Sequence, residues 1–190
     1  MALFRLINGQ WQNAFLDWFM PFMTDLQNFR YVLPLLAVWL LLKKKKSAVV
    51  FLAFLGLTLA ITDPFSSRLL KEWVGRIRPC HLLAEVRLLT DCNTSYSFPS
   101  THAVNVFAAA FFLSQPLKKW SSLCFGIAAL VGYSRIYIGI HYPFDVIGGA
   151  AVGVLIAWPM RRLQDQVVAR WLNPPPGVLI KHRKMKGDER

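Results

Sequence analysis

Charged and uncharged residues fall in long blocks along this chain. Residues 31–42, 47–62, 103–117, 120–134 and 146–160 carry no charged side chain and are rich in apolar ones. Each block holds 12 to 16 residues, short of the roughly 20 that a membrane-crossing helix needs. Any one of them would suit a buried core helix. Five in one chain would leave a soluble domain without polar faces to cover them. Each can also lengthen through flanks that snorkel, such as Lys43 after Leu42 or Lys118 after Leu117. The pattern predicts five membrane spans.

Ahead of the first block, Leu3, Phe4, Leu6, Ile7, Trp11, Phe15, Trp18, Phe19 and Phe22 recur at roughly helical spacing, with Asn8, Gln12, Asp17 and Asp25 among them. This reads as an amphipathic helix lying in the membrane interface. A sixth span interrupted by Asp17 is the alternative. A cleavable signal peptide does not fit, because a basic start, a compact apolar core and a small-residue site are missing. At the other end, the Asn-Pro-Pro-Pro-Gly stretch over residues 173–177 stops any helix. The fold class expected is all-α: an integral membrane helical bundle of five to six transmembrane helices plus an N-terminal interfacial helix. One membrane-embedded domain would cover residues 1–172, followed by a basic tail over 173–190.

Composition agrees. The 190 residues are 55% hydrophobic and 17% charged, with a mean hydropathy of +0.38, against a globular norm of about 25% charged. That excludes a disordered chain, and 11 Gly, 11 Pro and 3 Cys exclude collagen-like and disulfide-scaffold classes. A net charge of +12 would suggest nucleic acid, but its distribution argues against that partner. Lysines 43–46 follow the first span, Lys118 and Lys119 the third, Arg161 and Arg162 the fifth, and Lys181, Arg183, Lys184, Lys186 and Arg190 close the chain. In a five-helix serpentine all four clusters share one side, which the positive-inside rule makes cytoplasmic. Bulk basicity reports topology, with the lipid bilayer as partner. The tail could also touch anionic lipid.

The opposite face receives Arg68, Lys71, Arg76, Arg78, Arg87 and Arg135, where cations are disfavoured unless they act. Three segments meet at this depth. One runs from Lys71 to Arg78-Pro79, the second is Ser97-Phe-Pro-Ser100-Thr101-His102, and the third runs from Ser134-Arg135 through His141 to Asp145. Lysine, arginines, serine, two histidines and an aspartate form an inventory for phosphoryl transfer without a metal: cations neutralise phosphoryl oxygens, one imidazole attacks, and another protonates the leaving group. Asp145 lies four residues beyond His141 and can reach back to its ring from a helix start. His102 opens the third span, where free backbone N–H groups attract anions, and Ser100 can cap the helix and contact phosphate. Arg78 and Arg135 offer planar forks, whereas Lys71 is a point charge. Each residue also has a plainer reading as helix cap, snorkelling cation or dipole partner. A metal site is disfavoured, because no further carboxylate or histidine sits at ligand spacing and the surrounding cations would repel a dication.

On these residues the chain resembles the type 2 phosphatidic acid phosphatase family, whose signature is K-x6-R-P, then P-S-G-H, then S-R-x5-H-x3-D. The first element is Lys71 to Pro79 and the third Ser134 to Asp145, both at full spacing. The second is Pro99-Ser100-Thr101-His102, with Thr101 where the family has Gly. The match covers about residues 60–160. It implies a lipid phosphatase that needs no metal or cofactor. His141 would form a phosphohistidine, oriented by Asp145, and His102 would protonate the leaving oxygen and later activate water. Lys71, Arg78, Ser100, Thr101 and Arg135 would hold the phosphate, with the Thr101 side chain tuning a pocket that Gly would leave open. The resemblance also implies a multi-pass protein of the bacterial inner (cytoplasmic) membrane with its site facing the periplasm and its C-terminus in the cytoplasm.

Members of this size look like enzymes that dephosphorylate undecaprenyl pyrophosphate. Others act on phosphatidylglycerol phosphate, phosphatidic acid or lipid A 1-phosphate. Specificity would lie in outer-loop residues such as His81, Glu85, Arg87 and Asp91 and in the N-terminal helix. A non-catalytic lipid-headgroup binder is the alternative from another class, and transfer of the phosphoryl group to a second lipid or sugar is a variant of the enzyme. Cys80 and Cys92 share the outer loop while Cys124 lies inside the fourth span. In an oxidising compartment a Cys80–Cys92 disulfide would pin the loop beside Arg78, the alternative being two partly buried thiols.

Overall fold

A computed structural model describes residues 1–172, which form helices and loops with no strand. The expected basic tail, residues 173–190, lies outside the described residues. Five helices carry the architecture: α1 (Ala14–Thr24), α2 (Val32–Pro64), α3 (Thr101–Ser114), α4 (Ser121–Tyr137) and α5 (Pro143–Val167). Short helical turns precede α1 (Ala2–Arg5, Leu6–Gln10) and follow α2 (Phe65–Leu70, Lys71–Val74, Pro79–Leu82).

The expected third, fourth and fifth spans correspond to α3, α4 and α5. The first and second do not separate: both lie in α2, whose 33 residues run through lysines 43–46 without a turn. The reason is local. The lysine run holds no Gly, Pro or Asn, and lysine is itself a good helix former, so charge alone does not stop the helix. Among the described residues, two helical stretches are long and apolar enough to cross a membrane, Lys46–Leu82 and Pro143–Arg170, and Thr101–Ser114 is a shorter apolar helix.

The N-terminal segment is amphipathic. Helix α1 has 11 residues, about 16 Å at 1.5 Å per residue, which is too short to cross a hydrocarbon core of roughly 30 Å. It buries Met20 and Thr24 while exposing Phe15, Trp18 and Phe22. The Asn13 side chain starts it by accepting from Leu16 N at 2.9 Å.

Packing aligns the helix ends that matter. Helix α3 lies between α4 and α5, and α2 covers α3 and α5, sealed by Leu40, Ala48, Phe51, Ala108, Phe112 and Ala157. Helices α3 and α5 approach closely because Gly149 and Gly153 face the α3 backbone. A Cβ on Gly153 would overlap the Val104 carbonyl, and one on Gly149 would sit 2.8 Å from Ser100 O. Small residues permit such contact, and Ser100 N donates to Asp145 O at 3.0 Å where the two helices begin. This contact puts the start of α3 beside the start of α5.

Candidate active site

The site is built where α3 and α5 start and α4 ends. His141 sits in the loop joining α4 to α5 and is buried. Arg78 Nη1 approaches its Nε2 at 3.3 Å. A guanidinium only donates, so Nε2 presents a lone pair and the proton belongs on Nδ1. Nδ1 faces Asp145 Oδ2 at 3.6 Å, too long for a hydrogen bond, and has no other partner. Burial pushes the His141 imidazole down to about 3, with Arg78 and Arg135 adding to the shift and Asp145 opposing it. The ring is neutral at physiological pH.

Asp145 is fully buried at the third position of α5. Its Oδ2 accepts from Tyr142 N at 2.8 Å and from Ser97 Oγ, and its Oδ1 receives Arg76 Nη1 at 2.7 Å. Ser97 N in turn donates to Arg76 O at 2.7 Å, so the two residues form one clamp. Arg76 also lies over the Tyr142 ring, 4.2 Å from its centroid. Sequence reasoning placed Arg76 on this face without a role and assigned none to Ser97. No local pattern joins either to Asp145, 69 and 48 positions away.

The cations come next. Arg78 is buried and braced by Ser95, through Nε to its carbonyl at 2.7 Å and Nη2 to its hydroxyl at 2.9 Å, and by Ile140 O at 3.1 Å. Lys71 is buried and donates to Tyr96 O at 2.7 Å. Arg135 Nη1 donates to Thr24 Oγ1 at 2.7 Å. The charges of Arg78 and Arg135 reach both imidazoles, and that of Lys71 reaches His102. The expected residues thus share one electrostatic neighbourhood. Ser100 Oγ, Thr101 Oγ1, Arg135 Nε and His141 Nδ1 are all buried without a protein hydrogen-bond partner. Buried polar atoms are almost always paired; these four are left open to a polar ligand, and Arg87 Nη2, Tyr142 Oη and Arg161 Nε are also buried without a partner.

A cavity of about 410 Å³ is lined by His102 and Arg135 of this group, by Thr90 and by three residues of the N-terminal segment, Pro21, Thr24 and Asp25. Of the outer-loop residues expected to set specificity, Arg87 is otherwise engaged: it pairs with Asp17 at 2.6 Å and lies over the Tyr137 ring. His81 Nε2 lies 3.0 Å from Asn93 O. Cys80 and Cys92 are joined as a disulfide, which closes the loop that begins just after Arg78. Cys80, His81 and Cys92 bring their donor atoms within 4.8 Å of one another, but both sulfurs are spent in that bond.

Comparison with known proteins follows the same residues. The model of the PAP2 superfamily matches residues 47–169. An undecaprenyl-diphosphatase of Sulfolobus acidocaldarius is 33% identical over 163 residues, 83% of this chain and 75% of the relative. A lipid A 4'-phosphatase of Bacteroides thetaiotaomicron is 30% identical over 138 residues, 69% of this chain and 61% of the relative. Among solved structures, the transmembrane PAP2-type phosphatidylglycerolphosphate phosphatase of Bacillus subtilis superposes with a TM-score of 0.64 at 26% identity, covering 90% of this chain and 86% of that one.

Proposed function

This chain belongs to the PAP2 superfamily, and from that premise we propose that it is a membrane lipid phosphatase acting through a phosphohistidine, with undecaprenyl pyrophosphate as substrate. The observation that carries the reading is a cluster of two imidazoles under the charges of Arg78 and Arg135, with Lys71 acting on His102 and unpartnered Ser100, Thr101 and Arg135 atoms among them, beside a cavity that His102 and Arg135 line. Binding and phosphoryl transfer both call for such a surplus of positive charge.

His141 Nε2 attacks phosphorus as the bond to the leaving oxygen breaks, and His102 supplies a proton to that oxygen. Positive charge develops on the His141 ring opposite Asp145, so the 3.6 Å gap becomes an ion pair as phosphohistidine forms. His102 then takes a proton from water, the resulting hydroxide attacks phosphorus, and the P–N bond breaks to restore the lone pair. Lys71, Arg78 and Arg135 neutralise the phosphoryl oxygens throughout, and Ser100 and Thr101 donate to them. Cations at these positions supply the charge that a dication would otherwise bring.

The lipid chain stays in the bilayer because the site sits at the end of the apolar helices, at headgroup depth. The site faces the periplasm of a bacterial inner membrane. Lys118, Lys119, Arg161 and Arg162 lie toward the opposite ends of α3 and α5, as the positive-inside rule requires. Undecaprenyl pyrophosphate is put first because the undecaprenyl-diphosphatase relative aligns in sequence over 83% of this chain and 75% of its own, against 69% and 61% for the lipid A 4'-phosphatase. The test is phosphate release by detergent-purified protein from a panel of undecaprenyl pyrophosphate, phosphatidylglycerol phosphate, phosphatidic acid and lipid A, comparing wild type with His141→Ala. Release only by wild type, and fastest from the first substrate, supports the proposal. Equal release by the two proteins rejects the mechanism, and a different preferred lipid rejects the substrate.

A further inference from the structure

Half the residues lining the cavity come from the N-terminal segment, which sequence alone cast as an interfacial helix with some say in specificity. Thr24, the last residue of α1, is buried, and its hydroxyl accepts from Arg135 Nη1 at 2.7 Å across 111 positions of sequence. This contact uses the end of the guanidinium away from Nε. The Nε–Nη2 edge is left for a bidentate partner, and Nε itself is buried without one.

The helix that brings Thr24 here is fixed by a polar lock. Asn8 Nδ2 donates to Arg87 O and Tyr137 O, both at 2.8 Å, and Asn8 Oδ1 accepts from Arg87 N at 3.0 Å. Asp17 takes the Arg87 guanidinium and the Tyr137 hydroxyl, each at 2.6 Å. Gly139, at φ +90°, makes room for this packing: a Cβ there would lie 2.6 Å from Arg87 O and 3.2 Å from Asn8 Nδ2. Thr24 therefore cannot drift away from Arg135 without breaking contacts at the far end of its own segment.

We propose that Thr24 is a positioning residue: it sets the Arg135 guanidinium so that its Nε–Nη2 edge meets the phosphate, making the N-terminal helix the fourth element of the phosphate site. The proposal rests on the phosphate-holding role of Arg135 given above. An arginine head left free to sample rotamers must be ordered when phosphate binds, so loss of the hydroxyl weakens phosphate binding by roughly three- to tenfold.

The test uses full-length, detergent-purified protein. Inorganic phosphate affinity is read from phosphate-dependent thermal stabilisation, and KM and kcat are measured on the preferred lipid. Thr24→Val, which keeps the shape and removes the hydroxyl, should raise the phosphate Kd and KM three- to tenfold with kcat within about twofold, and Thr24→Ser should restore wild-type values. In an Arg135→Ala background, Thr24→Val should add nothing, since the two act as one unit. Wild-type phosphate affinity in Thr24→Val, failure of Thr24→Ser to restore it, or additive losses in the double variant would each overturn the assignment. Phosphate affinity is measured without turnover. An enzyme inert toward every lipid would therefore sink the proposed function, while the Thr24 dependence of phosphate binding would still be decided by the same proteins.

Discussion

The two ends of the helices carry the same kinds of cation under opposite conditions. At the far end, Lys118 and Lys119 are exposed, Arg162 lies 5.3 Å from the Trp158 ring centroid, and Arg161 meets Asp165 at 2.9 Å in an ordinary i,i+4 pair. At the site end, Lys71 and Arg78 are buried and held by backbone carbonyls. Asp145, already taken by Arg76, is the carboxylate facing them. Exposed cations are cheap to hold and contribute little, whereas burying a cation without an anion costs several kcal/mol. A fold keeps such a surplus of positive charge where an anionic ligand completes it. On the function proposed above, the far end would orient the protein and the near end would bind.

Substitutions can break this contrast. The largest effect is expected at Asp145→Ala, which leaves the Arg76 guanidinium unpaired and the His141 ring without its carboxylate. Steady-state kinetics should show phosphate release falling about 10³- to 10⁴-fold, with the protein still folded by gel filtration. Arg76→Ala and Ser97→Ala remove one side of the clamp each and act only through Asp145. A loss of roughly 10- to 100-fold in kcat with KM little changed is expected, about 1.4–2.7 kcal/mol, and Arg76→Lys should recover part of it. Equal losses in KM would show that Arg76 contacts substrate instead.

Gly153→Val tests the geometry beneath the site. Its branched side chain collides with the Val104 carbonyl, and thermal unfolding should report a destabilisation of about 1–3 kcal/mol, with activity falling as α3 and α5 separate.

The pH profile sharpens the comparison further. A nucleophile needs its lone pair, and protonation removes it. With His141 held down at about 3, kcat/KM should show no loss from His141 between pH 7 and roughly pH 5, declining only in stronger acid. An acid limb centred near the ordinary imidazole value of about 6.5 would mean the ring is far more solvated than its burial indicates. The smallest effect is expected at the other end. Lys118→Gln with Lys119→Gln should change kcat/KM less than twofold, because α3 separates these residues from His102 by more than a Debye length of about 8–10 Å.

Much of the site could be read from sequence because its residues follow helix-scale spacing. His141 and Asp145 are four apart at a helix start, and His102 follows Ser100 at another. The apolar blocks placed α3, α4 and α5 nearly where they lie. The lysine run misled, since charge marks where a helix meets water but does not break its hydrogen bonds, and α2 passes straight through. Cys80 and Cys92 stood open between bond and free thiols until the loop was folded.

Residue order alone set what depends on neighbours a few positions away: helix starts, apolar blocks, the spacing of the signature and the sign of charge at each end. Packing decided what joins distant stretches, from Arg76 and Ser97 on Asp145 to Thr24 on Arg135 and Asn8 on Tyr137. These partners lie 48 to 129 positions apart, so no periodicity links them. They meet only because Gly149 and Gly153 let α3 and α5 touch and because the N-terminal segment is locked onto the loops around them.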